Sequence, residues 1–205
     1  MLGHALLPLV WLAFASIVWG DEKDRPIVLV EDGRSDYSIV VAGDAPRPVR
    51  TAAEELQKYI QAISGATLLI DNAVKPAVIR IRVVGDGDPT FAGQSDEAHR
   101  MRSVAERIEL EGNSPRAALY AVYGFLEKYL GCGWCVPGDD TVPRQTTIRL
   151  RAFDDTIRGP AFAMRQIILF PYNASLLKKN NIPHTDWLTK NRMNWAHPAP
   201  NEPYV

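Results

Sequence analysis

The chain has 205 residues, 46% hydrophobic and 23% charged, close to ordinary globular averages. That composition excludes wholesale disorder, collagen and coiled-coil arrays, and the length suits one domain plus a remainder or two very small domains. Lys plus Arg (23) nearly balance Asp plus Glu (24), so the net charge of −1 gives no footprint for nucleic acid and no polybasic membrane patch.

Residues 1–20, MLGHALLPLVWLAFASIVWG, contain no Asp, Glu, Lys or Arg. The apolar run 5–19 has signal-peptide length and falls short of the ~20 residues a membrane span needs. Ala13-Phe14-Ala15 and Val18-Trp19-Gly20 offer cleavage sites. The expectation is a signal peptide over 1–20, with an uncleaved anchor or a buried core segment as alternatives. A signal peptide or an anchor puts the rest outside the cytoplasm: secreted, periplasmic or at the cell surface. Membrane contact is expected only if the segment stays uncleaved.

Residues 26–31 (PIVLVE) and 37–42 (YSIVVA) are β-branched runs separated by the turn chemistry of EDGRSD, and they read as strand, turn, strand. The period then changes. Val49, Ala52, Ala53, Leu56, Tyr59, Ile60 and Ile63 fall at i, i+3, i+4, i+7, i+10, i+11 and i+14, one helical stripe. Pro46 and Pro48 suit its start and Gly65 its end.

Residues 66–70 and 77–84 read as strands. In the second, Ile79, Ile81 and Val83 alternate with Arg80 and Arg82, giving one buried face. After a polar loop, residues 99–104 and 107–111 read as a hairpin, with Ile108 and Leu110 inward and Glu109 and Glu111 outward. Ser114 is an N-cap with Pro115 at the first helical position. Ala118, Val122, Phe125, Leu126 and Tyr129 form that helix's stripe, and Gly131 closes it. A further strand follows, with Ile148 and Leu150 inward and Arg149 and Arg151 outward.

Residues 21–151 therefore read as an α/β (α+β) unit. It has a mixed sheet and two amphipathic helices, on the same face or on opposite faces. Residues 152–205 differ. A strand over 162–170 and a partly helical 175–194 cannot bury their own apolar faces. They read as the opening of a larger domain or as an arm that docks on the first. The tripeptide Asn173-Ala174-Ser175 is a glycosylation acceptor only in a eukaryotic secretory host.

Candidate chemistry is sparse. Two cysteines make no disulfide framework. Cys132-Gly133-Trp134-Cys135 follows a helix end, where the dipole disfavours a thiolate. It reads as small buried thiols, with a local disulfide, a redox pair and a metal site as alternatives. The metal reading lacks two further ligands, since His4, His99, His184 and His197 are scattered. Glu54-Glu55, Asp139-Asp140 and Asp154-Asp155 are adjacent in sequence and read as solvated surface. Gly85-Asp86-Gly87-Asp88 lacks the register of an EF-hand and the Lys-Ser/Thr of a P-loop, and reads as a turn. Asn201-Glu202-Pro203 resembles an acid/base element of some barrel glycosidases, yet a tripeptide reads more readily as a polar tail. No catalytic residue, metal or cofactor is assigned.

Four segments carry a family resemblance. RTAAEELQKYIQAISGATLLI resembles the first helix and strand of the N-terminal domain of glycoside hydrolase family 67 α-glucuronidases and related secreted proteins. RIELEGNSPRAALYAVYGFLEKYLGCGWCVPG resembles the second diagnostic segment: strand, Gly, helix, then Leu-Gly-x-x-Trp-x-x-Pro. Pro160-x-Phe162-x-x-Arg165 resembles the approach into the first barrel strand. Trp187 followed by Lys190-Asn191-Arg192-Met193-Asn194 resembles the first barrel helix leading into the second strand.

The resemblance implies an accessory domain over 21–151 and an incomplete (β/α)8 barrel start over 152–205. Relatives continue through a barrel of about 250 residues. Their catalytic acids lie in later barrel loops, so none transfers to this chain. Arg165 alone transfers, as a substrate-binding residue whose fork suits a sugar carboxylate, or as a structural ion pair. The implied function is the non-catalytic domain of a secreted, carbohydrate-active glycoside hydrolase acting on a polysaccharide or oligosaccharide. This chain itself is expected to be catalytically silent. The rival readings are a freestanding carbohydrate-binding or interaction module and a thiol oxidoreductase using Cys132 and Cys135.

Overall fold

The structure is a computed structural model that describes residues 26–71, 77–85, 87–165 and 184–194. The signal peptide expected over residues 1–20, Asn173, the 201–203 tripeptide and most of the strand expected over 162–170 lie outside the described residues.

Thirteen elements are described. They are β1 (Ile27–Val30), β2 (Ser38–Val40), α1 (Arg47–Ser64), β3 (Leu69–Asp71), β4 (Val78–Val83), β5 (His99–Val104), β6 (Arg107–Gly112), α2 (Pro115–Lys128), β7 (Gly133–Val136), β8 (Asp139–Thr141), β9 (Ile148–Leu150), β10 (Asp154–Ile157) and α3 (His184–Lys190). Six strands form one sheet in the order β10-β5-β6-β4-β2-β3. β2, β3, β4 and β6 run parallel, while β5 and β10 are antiparallel to their neighbours, so the sheet is mixed as expected.

Helix α1 forms because its stripe is apolar at helical spacing, and all seven stripe residues are buried. It stops at Gly65, whose φ of 83° is left-handed and whose N–H bonds the Gln61 carbonyl at 2.8 Å. In α2, the Ser114 hydroxyl accepts from the Ala117 N–H at 3.1 Å. The helix ends at Lys128 with Tyr129 as its cap, before Gly131. α1 packs on β2, β3 and β4, α2 on β4, β5 and β6, and the helices pack on each other. Both therefore cover one face, with Leu56, Ile60, Ile79, Ile81, Ile108 and Leu110 in the shared core.

Several expectations change. β1 does not pair with β2; it pairs with β9, which lies more than a hundred positions away, while Glu31 and Arg34 bridge to close the turn. β3 is shorter than expected and its Leu69 is exposed at the sheet edge. Val83 is exposed where β4 runs out of cover. β7 and β8 form an unforeseen hairpin within GCGWCVPGDDT, and β10 extends the sheet past Arg151.

The largest correction concerns Glu109 and Glu111. They point away from the helices as read, but are 5% and 1% exposed. The registers explain this. Arg80, Glu109, Arg102 and Asp154 lie side by side across four strands, and Arg82, Glu111 and Arg100 across three. Arg82 and Arg102 both reach Glu111, and Arg80 stands 3.6 Å from Glu109. Long arginine stems cover the glutamates while their heads neutralise them.

Candidate functional site

The described residues bring chemistry together along one seam, where residues 157–165 and 184–194 meet α2, β5 and the β7–β8 hairpin. A cleft of about 240 Å³ opens there, lined by Glu97, His99, Tyr120, Ile157, Gly159, Pro160, Arg165, Asn191 and Arg192.

Glu97 precedes β5 and is 7% exposed. Its carboxylate accepts from the Arg165 guanidinium and, at 3.4 Å, from the Asn194 amide. Arg165 is held from all sides. Its Nε donates to the Arg192 carbonyl at 2.9 Å, its Nη1 to the Phe162 carbonyl at 2.9 Å, and its backbone N–H to Asn194 Oδ1 at 2.8 Å. A fork this engaged is fixed in direction.

Beside it, His99 Nδ1 lies 2.9 Å from the Glu97 carbonyl. Burial holds this imidazole below its ordinary value, and the Arg192 charge pushes the same way. The Tyr120 ring meets His99 edge-on at 6.4 Å, and burial raises its phenol. Arg192, at a φ of 58°, closes the row by pairing with Glu127 at 2.7 Å.

A second cluster lies further along the seam. Lys190 is 2% exposed, and its Nζ donates to Asp140 at 2.9 Å and to Asp186 at 2.6 Å. It also lies 5.4 Å from the Tyr59 ring centre. Tyr59 donates its hydroxyl hydrogen to Asp140 and accepts the Trp134 indole N–H at 3.1 Å. Burial alone would raise Asp140 and lower Lys190. Their mutual bond, together with the Tyr59 hydroxyl on both and Asp186 on Lys190, outweighs it, so the carboxyl is held below its ordinary value and the ammonium above. The Trp134 carbonyl then receives both the Trp187 indole N–H at 2.8 Å and the Asn191 amide at 3.0 Å.

The residues singled out from sequence distribute as follows. Arg165 lies in the cleft wall, with 18% of its side chain exposed, and is ion-paired to Glu97. Cys132 is buried and Cys135 exposed, and both are free thiols. Burial pushes the Cys132 thiol up to about 11, the opposite of what a redox nucleophile needs. The carboxylate pairs are not simply solvated. Asp140 holds Lys190, Asp154 pairs with Arg100, and Asp155 takes Lys128 and the Tyr129 hydroxyl. No group of three His, Cys, Asp or Glu that would hold a metal ion occurs among the described residues.

Glu97, Asp140 and Lys190 were not expected at a site. One signal was present: Asp186 and Lys190 stand at i and i+4. Another was the ten-residue run Ala117 to Leu126, which carries no charge and is buried on every side. A helix apolar all round must be covered all round.

No family model and no curated protein matches this sequence. Its fold does have relatives among solved structures. One is a family GH115 4-O-methyl-α-glucuronidase with specificity for decorated arabinogalactans. It has a TM-score of 0.58 and 20% identity over 83% of this chain and 26% of that one. A GH20 exo-β-N-acetylglucosaminidase from Vibrio harveyi matches at 0.53 and 16%, over 84% of this chain and 23% of its own. A GH138 enzyme targeting pectin rhamnogalacturonan II matches at 0.51 and 14%, over 78% of this chain and 18% of its own. The chain thus spans about a quarter or less of these enzymes. At such identities the likeness shows the fold: a mixed α/β fold that occurs within glycoside hydrolases of several families.

Proposed function

We propose that this chain carries the non-catalytic α/β domain of a carbohydrate-active glycoside hydrolase, and that the stretch from Ala152 onward opens the enzyme's barrel. The fold likeness supports this reading, because the solved structures that share the fold are glycosidases several times longer than this chain. The ordered motifs from Arg50 to Asn194 favour an α-glucuronidase-like enzyme. The charge-free leader over residues 1–20 favours export from the cytoplasm.

In most families, glycoside hydrolysis takes two carboxyl groups flanking the scissile bond. Among the described residues the cleft offers one, Glu97, already neutralised by Arg165. The acids that cleave the bond therefore belong elsewhere in the parent enzyme. Arg165 lines the cleft with 18% of its side chain exposed, which supports a contact with a sugar carboxylate or hydroxyl from the start of the barrel.

Two measurements test the proposal. The intact mass of the protein made by its native host should exceed that of this chain by tens of kilodaltons. The 205-residue chain should not turn over aryl glycosides, and measurable, saturable turnover would overturn its assignment as non-catalytic.

A further inference from the structure

We propose that the α/β unit carries a docking surface for the chain that follows it, and that the two form one rigid joint rather than a module on a tether. Asp140 and Glu97 are the sockets of this surface. Lys190 and Arg165 are the groups they receive. The inference stands whether or not the carbohydrate reading holds.

Four observations carry it. The paired groups are distant in sequence, Lys190 by 50 positions from Asp140 and Arg165 by 68 from Glu97, so each bond ties separate parts of the fold. Each clamp has one buried member, Glu97 in one and Lys190 in the other. Lys190 has 3% of its side chain exposed, and a cation is stable there only with its carboxylates in place. The Trp134 carbonyl spends its acceptor capacity on the Trp187 and Asn191 side chains, both from the following segment. Lastly, α2 is buried on the side facing away from the sheet. Arg192 also reaches α2: a Cβ at Gly124 would meet Met101 of β5 at 3.1 Å and Arg192 at 3.6 Å, which places the following segment along the flank where α2 meets β5.

The two clamps are not independent. Residues 191–194 belong to both. Asn191 bonds the Trp134 carbonyl, the Arg192 carbonyl accepts from Arg165 Nε, and Asn194 exchanges bonds with the Arg165 backbone in both directions. Releasing Lys190 from Asp140 should therefore loosen Arg165 as well. A tethered module would show no such coupling.

The experiment is amide hydrogen exchange on the full 205-residue chain. In Lys190→Met, exchange at Arg192, Met193 and Arg165 should rise about tenfold or more, while amides of α1 and β4–β6 keep their wild-type rates. Glu97→Gln, which disturbs the other clamp, should raise exchange over residues 191–194 in the same pattern. It decides the matter should Lys190→Met fail to fold. The proposal is overturned if opening in Lys190→Met stays within residues 184–194 while the Arg165 amide is unchanged. It is equally overturned if Glu97→Gln leaves residues 191–194 untouched or unfolds the whole sheet.

Discussion

Gly112 ends β6, opposite His99, where the strand passes the first turn of α2. A Cβ built there would lie 2.1 Å from the Ala118 nitrogen, 2.5 Å from the Ala117 carbonyl carbon and 2.7 Å from the Ala118 Cα. All three are backbone atoms, so no side-chain rotation relieves the clash. Bringing them to ordinary contact requires strand and helix to part by about 1.5 Å. The helix cannot yield locally, since residues from Ala117 to Leu126 are all buried and its start is pinned by Ser114. Overpacking that side chains can absorb costs about 1–3 kcal/mol. Gly112→Ala should reach the top of that range, about 3 kcal/mol or more. In urea unfolding followed by tryptophan fluorescence, a slope of about 2 kcal/mol/M turns this into a midpoint lowered by about 1.5 M. Gly133→Ala is the control. Its Cβ would meet Thr141 at an ordinary 3.6 Å, and it should change stability by about 0.5 kcal/mol or less. A Gly112→Ala midpoint within about 0.3 M of wild type, at unchanged slope, would refute the close approach.

Ser114→Ala removes the acceptor for the Ala117 N–H and should cost about 1 kcal/mol in the same assay; no change would mean another group caps α2. His99 is held below the ordinary value of 6.5 by burial, so the unfolded chain takes up a proton that the folded chain resists. Stability should therefore fall as pH drops below 6.5 toward the folded value, and His99→Gln should flatten that slope in thermal unfolding. Equal slopes in the two proteins would remove the argument. An aromatic disulfide reagent at neutral pH should label the exposed Cys135 promptly and Cys132 only on unfolding. Rapid reaction of two thiols would contradict the burial of Cys132.

What was legible in the sequence was what depends on neighbours along the chain. Helix α1 announces itself through seven apolar positions at one period, and the β5–β6 hairpin through alternation on both sides of a short turn. The partner of β1 was not legible. β-branched runs say that a strand forms and not which strand it meets, and β9 lies at the far end of the unit. The same limit misplaced Glu109 and Glu111. Alternation gave their direction correctly, but their burial comes from Arg80, Arg82 and Arg102 on adjacent strands. For Lys190 the local partner Asp186 is visible at i−4, but the second carboxylate, Asp140, is 50 residues away and leaves no local trace. In the cleft, Arg165 had been singled out through a motif, while Glu97 has no local mark at all.

The character of α2 bears most directly on where the folding unit ends. Its ten uncharged residues are covered on one side by the sheet and α1. On the other side, Tyr123 packs on Trp134 at 5.3 Å and Tyr120 lines the cleft, while Arg192 reaches the flank where Gly124 meets Met101 of β5. A unit cut at Arg151 would keep Trp134 on Tyr123, but it would open the flank at Tyr120 and Gly124 to water and strip β10 from β5, leaving an open sheet edge. A domain built to act alone places charge on the outer face of such a helix. Here the outer face is apolar, and the polar groups that surround it, Glu97, Glu127 and Asp140, are taken by arginines and a lysine from the following segment. The distribution of charge is that of a contact surface, which favours a unit fixed to the segment that follows it over one that stands alone.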